Sequence, residues 1–232
     1  MRVLVFDTET TGLPGIIGGS RVKFIHENQL EYWPHIVQMS YIVYEVETHM
    51  ILNVYDNIVR IPDDIEINEF ALKLHGVTKE KSLVDGEECS KVLDKFMLDI
   101  EDVDMIIGHN IKFDIDMIKV ALMRLAKSST IYKKHLDKIH SYVNRNRFYC
   151  TQMSTTEYCN LTVTRANGTS YAKMPKLKEL YKILFNEEVS EHKLHNSLID
   201  TILCLRCYIM FNHSVDIYNI ERIHGLIMDL IS

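Results

Sequence analysis

The chain has 232 residues, 47% of them hydrophobic and 25% charged, with a formal net charge of −6. That is enough apolar sequence to bury one full core, and no apolar run reaches transmembrane length, so a membrane-spanning protein is not expected. Five cysteines, an odd number, fit reduced thiols in a soluble intracellular protein better than a disulfide scaffold.

Residues 2–7 read as a buried strand. The strand delivers Asp7 and Glu9, at positions i and i+2, to one face. Two carboxylates side by side on a core strand repel and lose hydration unless a cation joins them. An all-oxygen donor set suits Mg²⁺ or Mn²⁺. Thr10, Thr11 and Gly12 then turn the chain, and Pro14 stops it from continuing. Residues 15–35 form a glycine-bearing loop without clear periodicity. Strands at 36–46 and 50–60 alternate Val, Ile and Tyr and complete an antiparallel meander with the first.

Helices are predicted near 88–101 and 112–126, with a short strand at 105–108 between them. Asp114 stands at the start of the second helix. Asp116 lies about 200° round the same axis and faces elsewhere. A strand near 147–150 follows, then a polar stretch over 160–174 with Asn167-Gly168 as a turn signal. Helices near 176–185, 196–211 and 217–231 complete the chain. His195 and Asp200 would stand about 140° apart on one helix. If the two belong to one site, His195 is expected in the loop before the helix, with Asn196 or Ser197 as the cap. Cys204 and Cys207 form a C-x-x-C inside that helix without a second pair, which suits packing better than zinc. Ile220, Ile223, Ile227 and Leu230 repeat at helical spacing and are expected to pack on the core. The organisation is read as one domain over 1–232, with its motifs in about 1–210 and a C-terminal helix at about 217–231.

The negative net charge is unevenly distributed. Residues 112–182 hold 14 Lys+Arg against 5 Asp+Glu, while the remainder holds 12 against 27. Such asymmetry points to one phosphate-attracting face. Arg145, Arg147, Arg165, Lys173, Lys176 and Lys178 are interleaved with Tyr149, Tyr158 and Tyr171, a mixture that suits single strands through charge and stacking.

Three segments in order carry a resemblance: Phe6-Asp-Thr-Glu-Thr-Thr-Gly-Leu-Pro14, Gly108-His-Asn-Ile-Lys-Phe-Asp114 and Leu194-His-Asn-Ser-Leu-Ile-Asp200. Together they resemble the acidic motifs of the DnaQ-like (DEDDh) 3′→5′ exonucleases, which include the proofreading subunit of bacterial DNA polymerase III. The His-x-x-x-x-Asp spacing is that of the His subclass; the Tyr subclass would need Tyr at 196, where Asn196 stands. Residues 33–38, 74–78, 148–152 and 175–181 extend the likeness over roughly 1–210.

The resemblance implies a ribonuclease H-like α/β fold with a mixed five-stranded central sheet flanked by helices. It implies two Mg²⁺ or Mn²⁺ ions held by Asp7, Glu9, Asp114 and Asp200, with His195 taking the proton of the attacking water. Thr10, Thr11 and Leu13 would cradle the terminal nucleotide, and Asn110 and Phe113 would line the site. The implied partner is a nucleic acid with a free 3′ end, single-stranded DNA first, with a DNA polymerase as a further partner. Homodimerisation stays open. RNA-trimming enzymes share the same five residues, so RNA is the alternative substrate. A non-catalytic binder would be expected to lack one of the five, and none is missing.

Overall fold

A computed structural model describes residues 1–189 and 195–231 of the chain. Its centre is strand β1 (Arg2–Thr10), whose two faces are both covered. Val3 and Val5 point into one apolar cluster, and Leu4 and Phe6 point into another. The alternation is the period of two that a strand imposes.

After β1 the loop carries a small hairpin of β2 (Ile16–Ile17) and β3 (Ser20–Arg21), then a 3-10 turn at Glu27–Tyr32. The meander continues through β4 (Ile36–Glu45) and β5 (Met50–Arg60). Two seven-residue helices follow, α1 (Glu69–His75) and α2 (Lys79–Asp85). Asn68 caps α1 at Phe70 N–H, and Thr78 caps α2 at Lys81 N–H. Next come β6 (Glu87–Glu88), α3 (Cys89–Asp99), β7 (Met105–Gly108), α4 (Ile111–Leu125), α5 (Ile131–Asn144) and β8 (Phe148–Cys150). Two single-turn helices, α6 (Thr151–Ser154) and α7 (Thr156–Cys159), lead to a hairpin of β9 (Thr162–Thr164) and β10 (Ser170–Ala172). The chain ends with α8 (Leu177–Phe185), α9 (Ser197–His213) and α10 (Glu221–Ile231).

The sheet has six strands in the order β6-β5-β4-β1-β7-β8. Pairs β1/β4 and β4/β5 are antiparallel; β1/β7, β7/β8 and β5/β6 are parallel. The mixed α/β sheet agrees with the expected fold, but the expected count of five is corrected to six. The additional strand is β6, two residues beside the end of β5. So short a piece has no alternation by which sequence could reveal it. Helices α1, α2 and α5 also stand where no element was expected.

Helices α3 and α4 cover one face of the sheet. Helix α9, buried nearly all round, covers the other together with α10. Ile223 and Ile227 of α10 are fully buried there, while Leu230 is exposed. Buried Arg206 on α9 ties in the neighbouring loops, bonding Glu187 at 2.8 Å and Asp216 at 2.7 Å beneath the rings of Phe185 and Tyr218. Cys204 and Cys207 are buried unpaired thiols. Among the described residues no helix is long and apolar enough to cross a membrane.

Candidate active site

The alternation of β1 decides where its polar residues go. Asp7 and Glu9 continue the parity of Val3 and Val5, the face covered by α9. Thr8 continues the parity of Leu4 and Phe6, the face covered by α4. Thr8 accordingly reaches α4. Its backbone N–H and its hydroxyl both donate to Asp114 Oδ1, at 3.2 and 2.7 Å. The β1–β4 register slips just after Glu9, between Glu9/Gln38 and Thr10/Ile36. Such an irregularity ends regular pairing where the side chains must be re-aimed.

Asp200 arrives from α9. Asn196 caps that helix, its side chain accepting from Leu198 N–H and Ile199 N–H. Ser197 bonds Ser40 on β4, and Thr201 donates to the Ser40 carbonyl at 3.3 Å, which fix the helix start to the sheet. His195 precedes the cap with a left-handed backbone, φ 65°. Its N–H donates to Asp200 Oδ2 at 3.1 Å. The histidine therefore lies outside the helix, and the carboxylate lies in its first turn. Leu194, which opens the third motif, lies outside the described residues.

Asp7, Glu9, Asp114, Asp200 and His195 line one cavity of about 670 Å³. Single oxygens of Glu9 and Asp200 and a ring nitrogen of His195 lie within 4.8 Å of one another. Burial, followed by repulsion from Asp114, Asp200 and Glu9, raises the Asp7 carboxyl well above its usual value. Burial, then Asp200 and Asp114, pushes Glu9 up to about 9. Burial also lifts Asp114 to about 7, outweighing the two Thr8 bonds that act against it. Asp200 likewise rises to about 7 through burial. Asp200 Oδ1 is buried with no hydrogen-bond partner. Four acids that resist ionising together, one with an orphaned oxygen, make a donor set fitted to hard divalent cations.

The other expected site residues are distributed over three cavities. Leu13, Asn110 and Phe113 line the 670 Å³ cavity with the acids. Thr10 lines an adjoining cavity of about 430 Å³, which shares Glu9, Leu13 and Phe113 with the first. Thr11 lies in neither. It lines a neighbouring cavity of about 700 Å³ that meets the other two at Leu13, and its hydroxyl accepts from His35 N–H at 2.9 Å. Asp116 turns away from the acids and pairs with Lys112 on its own helix.

Several lining residues were not singled out as site residues: Thr8, Leu74, His109, Gln152, Lys176 and Lys178. The two lysines belong to the basic run noticed in the sequence. His75, in the adjoining cavity, accepts from Val77 N–H through Nδ1, so its Nε2–H donates to the Thr10 carbonyl at 3.2 Å. Burial lowers its proton affinity and keeps it neutral.

A model of the exonuclease family RNase T matches residues 4–208, a span that includes all four acids and His195. The chain belongs to this exonuclease family. No curated protein matches the sequence. Among solved structures, E. coli exonuclease I in complex with a dT13 oligonucleotide superposes with a TM-score of 0.58 at 16% identity, over 92% of this chain and 42% of that one. Exonuclease I from Methylocaldum szegediense gives 0.58 at 12% identity, over 95% and 43%. A 3′-exonuclease recognising the 3′ end of a histone mRNA stem-loop gives 0.56 at 12% identity, over 93% and 83%. This family member thus spans less than half of the exonuclease I chains that it matches. At these identities the likeness is one of fold.

Proposed function

We propose that the chain is a divalent-cation-dependent 3′→5′ exonuclease that hydrolyses the terminal phosphodiester of single-stranded DNA. One observation carries the reading: four acids and a histidine from three separate segments line a single cavity, with Lys176 and Lys178 on its wall. Family membership supports it.

Asp7, Glu9, Asp114 and Asp200 would hold Mg²⁺ or Mn²⁺. Cations bound there supply charge neutralisation, a more acidic water and stabilisation of the leaving 3′-oxygen. The chain's own residues supply the remainder. A ring nitrogen of His195, which must be unprotonated to act, would take the proton from the attacking water. Asp200 holds the His195 backbone through its N–H and so fixes where the imidazole begins. Lys176 and Lys178, on the wall of the same cavity, would offset phosphate charge. Leu13 and Phe113, shared by the two adjoining cavities, give apolar surface for the terminal base. The products are nucleoside 5′-monophosphates.

The test is side-by-side digestion of 5′-labelled DNA and RNA of one sequence, with Asp7→Ala as control. A ladder shrinking from the 3′ end of DNA is expected. Faster loss of RNA would reassign the substrate and keep the chemistry. Neither strand shortening, in Mg²⁺ or Mn²⁺, would overturn the proposal.

A further inference from the structure

We infer that the β9–β10 hairpin and the segment returning from it to α8 form a track for the single strand 5′ of the scissile bond. The inference extends the exonuclease reading and rests on it. Its starting point is the cavity wall. Gln152, Lys176 and Lys178 stand there with the acids. The wall is held in place at Pro175, whose carbonyl accepts from Gln152 Nε2 at 3.2 Å and from His109 Nε2 at 3.0 Å. Burial pushes the His109 imidazole down to about 4, so it is neutral; Nε2 carries the hydrogen, and Nδ1 accepts from the Thr151 hydroxyl at 3.0 Å. A neutral, doubly bonded histidine in the second motif thus sets the position of the residues just before Lys176.

From this fixed point the chain leads straight to the hairpin. Residues 160–178 contain Arg165, Lys173, Lys176 and Lys178 and no acidic residue. Lys173 is paired with Glu179. Arg165 lies over the ring of Tyr171, 4.8 Å from its centroid, across the hairpin. All of β10 is exposed, and Tyr171 keeps 47% of its surface in solvent. The hairpin has little core of its own, since Val163 alone is half-buried in the two strands. Tyr158 and Met174 on either side are exposed as well.

An exposed aromatic ring paired with a planar cation is a surface on which unpaired bases stack, and an acid-free basic run attracts the phosphates between them. The acids of the cavity would repel the same backbone. Lys176 and Lys178 put positive charge on the cavity wall that continues into the hairpin, so a strand whose 3′ end sits at Asp7 and Glu9 has an electrostatically favoured exit over them toward Arg165 and Tyr171. The occupant is a single strand rather than a duplex, because stacked and paired bases offer no free face to Tyr171.

The test measures binding apart from hydrolysis. Fluorescence anisotropy in EDTA gives the Kd of fluorescein-labelled single strands of three and twelve thymidines, for wild type and for Arg165→Ala/Tyr171→Ala, over a range of salt. The two positions are exposed, so the double variant should fold, and a circular dichroism melt checks this. Wild type should prefer the longer strand, and in the variant that preference should fall at least fivefold, about what one lost base–aromatic stack gives. Its salt slope on the longer strand should be shallower by about one, for one lost phosphate contact. Equal length preference and equal slope in the two proteins would overturn the track. So would a wild type that does not favour the longer strand. Length-dependent binding that the variant loses, without any hydrolysis when Mg²⁺ is added, would support the track and defeat the exonuclease reading instead.

Discussion

Asp114→Asn should stabilise the metal-free protein while ending hydrolysis. The amide oxygen can still accept from the Thr8 N–H and hydroxyl, which meet Asp114 Oδ1 at 3.2 and 2.7 Å. What the substitution removes is a carboxyl that burial pushes from its usual 3.8 to about 7. A folded state that holds this proton more tightly than the unfolded chain is most stable below the unfolded value and loses stability as pH rises through the folded one. At about 1.4 kcal/mol for each tenfold step in proton affinity, the loss reaches about 4 kcal/mol above about pH 7 and stays under about 2 kcal/mol near pH 5. Asp7, Glu9 and Asp200 titrate with Asp114, so this figure is a ceiling for the one residue and is not summed over four. In a chain of this length about 1 kcal/mol moves Tm by about 2–4 °C. In EDTA near pH 8, Asp114→Asn should therefore melt above wild type, by at most about 8–16 °C, and the gap should narrow toward about pH 5. Added Mg²⁺ should raise the wild-type Tm and leave the variant much less affected. Circular dichroism melts at the two pH values, with and without the cation, read all of this. A variant that melts at or below wild type in EDTA near pH 8 would show that the Asp114 charge does not destabilise the metal-free fold.

His195→Ala should lose at least about a hundredfold in hydrolysis, the low end for a general base, yet keep the Mg²⁺-induced rise in Tm; near-wild-type turnover would remove it from that role. Ile227→Ala should cost about 2–4 kcal/mol, because its side chain is fully buried beneath the sheet; an unchanged urea midpoint would mean that α10 does not pack there. His109→Ala should cost about 1–3 kcal/mol for two lost hydrogen bonds and weaken single-strand binding through Pro175; a variant with unaltered stability and affinity would show that the brace is dispensable. Burial raises the Cys204 and Cys207 thiols, so the native protein should hold no zinc and react slowly with thiol reagents; stoichiometric zinc in purified protein would contradict this.

The parts of the fold legible in sequence are those with a strong period. Strand β5 (Met50–Arg60) and strand β7 (Met105–Gly108) fall at their predicted bounds, because alternation and a short apolar run mark them. Helix α5 was missed although Tyr132, Leu136, Ile139 and Val143 repeat at helical spacing. Its lysines and histidines dominate the stretch, and only Tyr132, Ile139 and Tyr142 are buried. Helices α1 and α2 have readable caps in Asn68 and Thr78 but are only two turns each. The polar stretch over 160–174 gave its turn at Asn167-Gly168 but not its strands, since three-residue strands carry too little pattern.

The site divides in the same way. Positions i and i+2 on a strand must share a face, so Asp7 and Glu9 could be paired from sequence; His195 could be taken out of the helix by angle only once the motif had put it in one site with Asp200. Thr11, next to them in sequence, lines the neighbouring cavity that shares Leu13 with theirs, and its hydroxyl is engaged by His35 N–H. Gln152 and Lys176 reach the cavity through His109 and Pro175, which are 66 positions apart. A tertiary contact of that kind leaves no local signal, and the basic run disclosed charge without disclosing place.

Asp7, Glu9, Asp114, Asp200 and His195 are proposed to form one hydrolytic site working inward from a 3′ end. The most direct measurement uses a single strand labelled on its 3′-terminal nucleotide and identifies the first labelled product. A labelled 5′-mononucleotide is expected in Mg²⁺, none in EDTA and none from Asp7→Ala. Labelled fragments longer than one nucleotide, or release that persists in Asp7→Ala, would contradict it.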